Sequence, residues 1–332
     1  MKPARFGIGL RGDRRASEYG GLGRLAEELG FDVVSVFADL GYQPPWLPLL
    51  EVAAATRRVS LGPACVNPYT MHPVEIAGQI AALDLASSGR AYLGIAKGAW
   101  LSSIGVPQQR PMRAIRETAE IVRRLLAGDD SGFRGEVFAV EPEFRLEFDV
   151  ERKQVPLLVG SWGERTAALA GEIAGELKVG GSANADLVPL MLSRLAEGAT
   201  RAGRDAHSTG VVLGAVTVVD EDAAAARQRA RSAVAMYFEV VAGLDPTVDV
   251  PDGMVAEIRR LLRAGDDQGA GRLIPDELLD RFAFAGTPEH VVRQVRDIFD
   301  AGATRVEFGA PFGLEAYRGL TLLGERVLPE FR

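Results

Sequence analysis

The sequence predicts a (β/α)8 barrel, a TIM barrel of the α/β class, with its working site at the carboxyl ends of the strands. Three observations carry this expectation. Short β-branched runs alternate with amphipathic helical stretches along nearly the whole chain, and eight such units can be counted. No Ser/Gly-rich linker or sustained shift of composition divides the 332 residues. Eight βα units close a barrel and leave no sheet edge, whereas a doubly wound sheet usually stops at five or six strands. A single domain over residues 1–332 is therefore expected.

The elements follow in order. Residues 5–10 (RFGIGL) read as the first strand, and residues 17–29 as a helix closed by Gly30. Residues 33–37 (VVSVF) form a continuous apolar run, which suits a strand covered on both faces. Residues 46–56 are helical, 59–61 a short strand running into Gly62 and Pro63, 73–87 a helix, 91–96 a strand and 111–126 a helix. Residues 132–149 alternate aromatic and polar side chains, so an excursion of two short antiparallel strands is expected after the fourth strand, at about 130–154. The alternation resumes with strand 156–159, helix 164–172, strand 176–179, helix 186–202 and strand 211–219. A helical insertion at about 221–285 follows the seventh strand. It is broken at Pro246, Pro251, Gly265 and Pro275, and its 246–275 portion is a candidate lid. Thr287 caps the next helix with Pro288 in its first turn. Strand 305–308 and a final helix at 315–329 complete the set.

Composition narrows the function. Hydrophobic residues make up 47% and charged residues 25%, the balance of a globular protein. A net charge of -7 argues against nucleic acid as a partner. No stretch approaches the ~20 apolar residues of a membrane helix, and residues 6–10 are too short for the core of a signal peptide. The single cysteine, Cys65, leaves no internal disulfide and fits a reducing, cytoplasmic setting.

The motifs point to a planar ligand. Gly7-Ile8-Gly9-Leu10-Arg11-Gly12 has the dinucleotide spacing G-x-G-x-x-G, but two of its glycines fall within the strand rather than the turn. Gly9 reads instead as leaving room for a flat ligand. The three histidines are far apart and no paired cysteines exist, so no metal site is expected. His72 stands out because it follows the third strand, where barrel chemistry is housed. The strand-end loops are richer: Asp39 with Tyr42, Asn67, Lys97-Gly98, Gly160-Ser161-Trp162-Gly163 and Gly180-Gly181. Glycines beside tryptophan let backbone approach a ring, and the 160–163 loop opens a helix whose free N–H groups suit an anion.

Residues 61–98 (LGPACVNPYTMHPVEIAGQIAALDLASSGRAYLGIAKG), 155–171 (VPLLVGSWGERTAALAG) and 284–313 (FAGTPEHVVRQVRDIFDAGATRVEFGAPFG) resemble the bacterial-luciferase-like superfamily. Within it they are most similar to reductases that use the deazaflavin coenzyme F420, of the methylenetetrahydromethanopterin reductase type. The resemblance implies a non-prolyl cis peptide between Ala64 and Cys65, forming a bulge behind the middle ring of the cofactor. It implies Lys97 and Gly98 bordering the cofactor, Gly160 to Gly163 near its phosphate-bearing tail, and Ala38 and Asp39 facing the ring. The candidate cofactor-binding set is therefore Ala38, Ala64, Cys65, Asn67, Lys97, Gly98, Gly160, Ser161, Trp162, Gly163, Gly180 and Gly181.

The sequence departs from pterin-reducing relatives where they carry acids, having Gly9 in the first strand and Ala99 in the fourth-strand loop, a pair expected to widen the pocket. Asp39 replaces a histidine common after the second strand. The implied reaction is hydride transfer from reduced deazaflavin to an activated C=C or C=N bond, of a dehydroamino acid in a modified peptide or a pterin-like imine. Asp39 is the expected proton donor, with Tyr42 and His72 behind it. An FMN-dependent monooxygenase and a non-catalytic flavin-binding barrel are the alternatives. A homodimer is implied by resemblance alone, since the apolar faces of residues 17–29 and 46–56 are equally explained by core packing.

Overall fold

The computed structural model describes residues 4–332. Its strands and helices alternate as β1 (Arg5–Leu10), α1 (Ala16–Glu28), β2 (Val33–Val36), α2 (Trp46–Ala55), β3 (Ser60–Pro63), α3 (Pro73–Ala86), β4 (Leu93–Ala96) and α4 (Pro111–Ala127). A two-stranded antiparallel hairpin, β5 (Phe133–Arg134) with β6 (Ala139–Val140), interrupts the series. The alternation resumes with β7 (Leu157–Gly160), α5 (Glu164–Ile173), β8 (Glu176–Gly180), α6 (Leu187–Arg201) and β9 (Gly210–Val219). Four helices follow, α7 (Ala223–Val241), α8 (Met254–Arg263), α9 (Asp267–Arg272) and α10 (Asp276–Phe282), then β10 (Ala283–Gly286), α11 (Pro288–Asp300), β11 (Arg305–Phe312) and α12 (Ala316–Leu322).

Eight parallel strands run in the order β3-β2-β1-β11-β9-β8-β7-β4. Parallel bridges Leu61–Ala91 and Val66–Ile95 join β3 to β4 and close the ring. This is the expected barrel, and it places every strand's carboxyl end on one face. The strands read as apolar runs because helices cover their outer face while side chains fill the lumen. Phe6, Ile8, Val34, Leu61, Ile95, Val159, Leu177, Val211 and Phe308 share one buried core with the helices.

Local signals set the helix starts. His72 caps α3 through Nδ1, which accepts from the Val74 N–H at 3.3 Å, with Pro73 following. Thr287 caps α11 in the expected way. The hairpin is anchored by Glu117, whose carboxylate accepts from the N–H groups of Glu136, Val137 and Phe138 at 2.8–2.9 Å.

Two expectations fail. β10, the segment AFAG, goes unread in the sequence because one phenylalanine among three small residues gives no periodicity; it extends the sheet along the end of β9. The final helix stops at Leu322 and continues as a π turn and a 3-10 turn rather than running regularly to residue 329. The insertion breaks near Pro251, Gly265 and Pro275, and its helices build a second core around Phe238, Ile258, Leu279 and Phe282. No helix among the described residues is long and apolar enough to cross a membrane.

Candidate active site

A cavity of about 610 Å³ opens at the carboxyl face of the barrel. Every barrel strand contributes to its wall or to the loop that follows. Phe37, Ala38 and Asp39 come after β2, Ala64, Cys65 and Asn67 after β3, and Lys97 to Trp100 after β4. Gly160 to Gly163 follow β7, and Gly180 and Gly181 end β8. The end of α7 covers one side with Tyr237, Val240 and Val241. The Ala64–Cys65 peptide bond is cis.

The loops are held by short polar contacts that leave their glycines facing inward. Asn67 Oδ1 accepts from the N–H groups of Tyr69 and Thr70, each at 3.0 Å. Gln108 donates to the carbonyls of Lys97 and Gly98. Trp162 donates through Nε1 to the Gly180 carbonyl at 2.8 Å, which ties the loop after β7 to the end of β8. Gly163 is the N-cap of α5 and no side chain caps it. Its first-turn N–H groups are therefore open to a ligand. Glu164, the acid that would repel an anion there, is drawn away by Arg194 at 2.9 Å.

The floor is charged. Lys178 of β8 pairs with Glu307 of β11, and both line the cavity although only 5% and 1% exposed. Ser35 Oγ donates to Glu307 Oε2 at 2.5 Å and lies 2.6 Å from the Tyr92 hydroxyl. Below them Arg305, wholly buried, donates to Glu176 at 2.8 Å and approaches Glu307 at 3.6 Å. Burial pushes the Tyr92 hydroxyl well above the usual tyrosine range.

Asp39 stands between floor and mouth. Burial raises its carboxyl above the usual aspartate range, and the charges of Lys178 and Arg11 only partly oppose this. Tyr237 is raised to about 12, again by burial first, with Arg11 lowering and Asp39 raising it. Its ring lies 6.3 Å from that of Trp100. Burial also pushes the Cys65 thiol up to about 12, so it is a neutral wall group at ordinary pH.

A model of the luciferase-like monooxygenase family matches residues 2–305. The chain belongs to that family. Among similar proteins, the 5,10-methylenetetrahydromethanopterin reductase of Archaeoglobus fulgidus is 29% identical over 99% of this chain and 100% of its own length. An F420-dependent glucose-6-phosphate dehydrogenase of Amycolatopsis mediterranei is 26% identical over 92% of each. The solved coenzyme F420 dependent tetrahydromethanopterin reductase of Methanopyrus kandleri superposes with a TM-score of 0.90, at 26% identity, over 99% of this chain and 100% of that one. A monooxygenase from Streptomyces bottropensis superposes at 0.75 with 25% identity, covering 99% and 100% of the two chains.

Within this luciferase-like barrel, all twelve candidate cofactor-binding residues line the one cavity, and so does Asp39. Tyr42 and His72 do not. Tyr42 lies outward with the Arg11 guanidinium 5.9 Å above its ring. His72 is spent capping α3 and meets Phe138 edge-on at 5.5 Å. Gly9 does not widen the pocket either: the space above it holds the Phe37 ring, which a Cβ would strike. The candidate lid at 246–275 contributes nothing to the lining, because those helices pack on α7, whose own end covers the site. Sequence reasoning missed Lys178, Glu307 and Tyr237. The first two had a signal, a charge inside an otherwise apolar strand (ELKVG and RVEFG); Tyr237 had none, since it arrives from a helix far along the chain.

Proposed function

We propose that the chain is an F420H2-dependent reductase acting on an activated C=C or C=N bond. The observation that carries this is the pairing within one cavity of a glycine-lined, uncapped helix start at Gly160–Gly163 with the half-buried Asp39 on the facing wall. Two further features fit a deazaflavin. A side chain on Gly180 would project into open space, so the glycine keeps a flat surface there. Arg11 lines the cavity with a buried Nε that has no hydrogen-bond partner among the described residues. The names of the Amycolatopsis dehydrogenase and of the Methanopyrus structure, both F420-dependent, support the same cofactor.

When bound, reduced deazaflavin supplies a hydride, and the protein supplies the rest. Gly160 to Gly163 and the start of α5 would hold the phosphate-bearing tail, while Ala38, Ala64, Cys65, Asn67, Lys97, Gly98, Gly180 and Gly181 would border the ring. Asp39 holds a proton because burial favours its neutral form, and it delivers that proton to the substrate atom beside the one that receives hydride. Tyr237, next to it, is the second donor in line, in place of Tyr42 and His72. Val240, Val241 and Trp162 exclude water. The substrate is a dehydroamino acid in a modified peptide or a pterin-like imine. With Phe37 filling the space above Gly9, the first of these is favoured, since the acid of pterin-reducing relatives has no room there.

Titrating the protein with F420 and with FMN tests the reading. Micromolar binding of F420 is expected, followed by F420H2 oxidation with a dehydroalanine peptide. Binding of FMN alone would make the chain a monooxygenase, which the Streptomyces structure favours as the second reading. Binding of neither would leave a non-catalytic barrel.

A further inference from the structure

Lys178 has no role in the chemistry above, yet it is built into the cavity with care. An ammonium carries three donors. Among the described residues Glu307 is the hydrogen-bond acceptor for one of them, and the Phe37 ring face lies 5.0 Å from Nζ in another direction. Glu307 is itself engaged by Ser35 and faces Arg305, so it holds the ammonium in place rather than following it. Gly214 keeps the surroundings clear, since a Cβ there would come within 3.2 Å of Lys178 Cε. A nearly buried cation that lines a cavity with a donor to spare is aimed at an acceptor on the ligand.

We propose that Lys178 orients the cofactor by donating to a carbonyl oxygen on the dione edge of the deazaflavin ring. The proposal rests on reading the cavity as a cofactor pocket. A fixed positive charge at that edge also stabilises the electron-rich, anionic form of the ring over the neutral one.

The test uses the double variant Lys178→Met/Glu307→Gln, which removes the cation and its carboxylate together and leaves no unpaired buried charge. F420 affinity, read by fluorescence, should fall about 10- to 100-fold, the worth of a charged hydrogen bond. The midpoint of the pH titration of the bound cofactor's absorbance should move up, as the lost cation no longer favours the anion. Glu307→Gln alone, which keeps the ammonium and an amide oxygen to accept from it, should lose less affinity than the double variant and should not move the midpoint up. A folded double variant with wild-type affinity and an unmoved midpoint overturns the proposal, including the case in which only a substrate KM changes. Equal losses in the double variant and in Glu307→Gln overturn it too, since the role would then be structural. Should the wild type bind only FMN, which shares the dione edge, the comparison is made on FMN. A wild type that binds neither overturns the pocket reading first, and this inference with it.

Discussion

The floor and the rim of the cavity break the ordinary distribution of side chains in opposite directions. On the floor Lys178, Glu307 and Arg305 are charged and almost wholly buried; at the rim Trp100 and Leu244 are large, apolar and 39% and 42% exposed. Neither arrangement is what folding alone would select. A buried ion pair gives back in desolvation much of what its attraction contributes, and an exposed ring leaves its burial energy unused. On the proposed reading, a ligand would meet the charge below and cover the apolar rim above. The difference is in coupling. The floor is packed into the barrel, so changing it disturbs folding as well as binding, whereas the rim is free of the core.

Substitutions can sharpen or break this contrast. The largest effect belongs to Asp39, between the two regions. Asp39→Asn should lower turnover by about 10²- to 10⁴-fold, the usual contribution of a positioned acid, with F420 affinity unchanged; steady-state rates beside fluorescence titration read both, and a full-rate variant removes Asp39 from the mechanism. Because burial raises its carboxyl, wild-type turnover should be high on the acid side and decline as pH climbs through that raised value. In Asp39→Asn that decline should vanish. The same sign governs stability: the folded state holds this proton more tightly than the unfolded chain, so its contribution is present at low pH and lost as pH rises through the raised value.

On the floor, Glu307→Ala strands the Lys178 ammonium and should cost about 3–5 kcal/mol in urea unfolding. Gly9→Ala, beside it, pushes a methyl group into the Phe37 ring and should cost about 1–3 kcal/mol by overpacking. At the rim, Trp100→Ala should leave unfolding within about 0.5 kcal/mol of wild type while raising KM severalfold. A Trp100 variant that unfolds as readily as Glu307→Ala would erase the contrast.

Much of the cavity lining was legible in sequence, and the misses have a common cause. The strand-end glycines and Asp39 were readable because each sits at a boundary where a periodic run stops, and a barrel brings all such boundaries to one face. Tyr42 and His72 lie at such boundaries too, but there neighbours decide. His72 precedes Pro73 at a helix start, where its ring serves as a cap, and Tyr42 turns outward beneath Arg11. Gly9 was misread for the same reason, since nothing local says whether a ligand or Phe37 fills the space above it.

The chain's own pattern thus determined the eight βα units, their closure into a ring, the hairpin after α4 and the helical insertion after β9. These depend on periodicity and turn residues within short windows. Only tertiary structure decided that Lys178 meets Glu307 across 129 residues, that α7 rather than residues 246–275 covers the cavity, and that Phe37 takes the room left by Gly9. The physical reason is that side-chain direction and packing inside a barrel are set by neighbours that are far apart in the chain, and these leave no local signature.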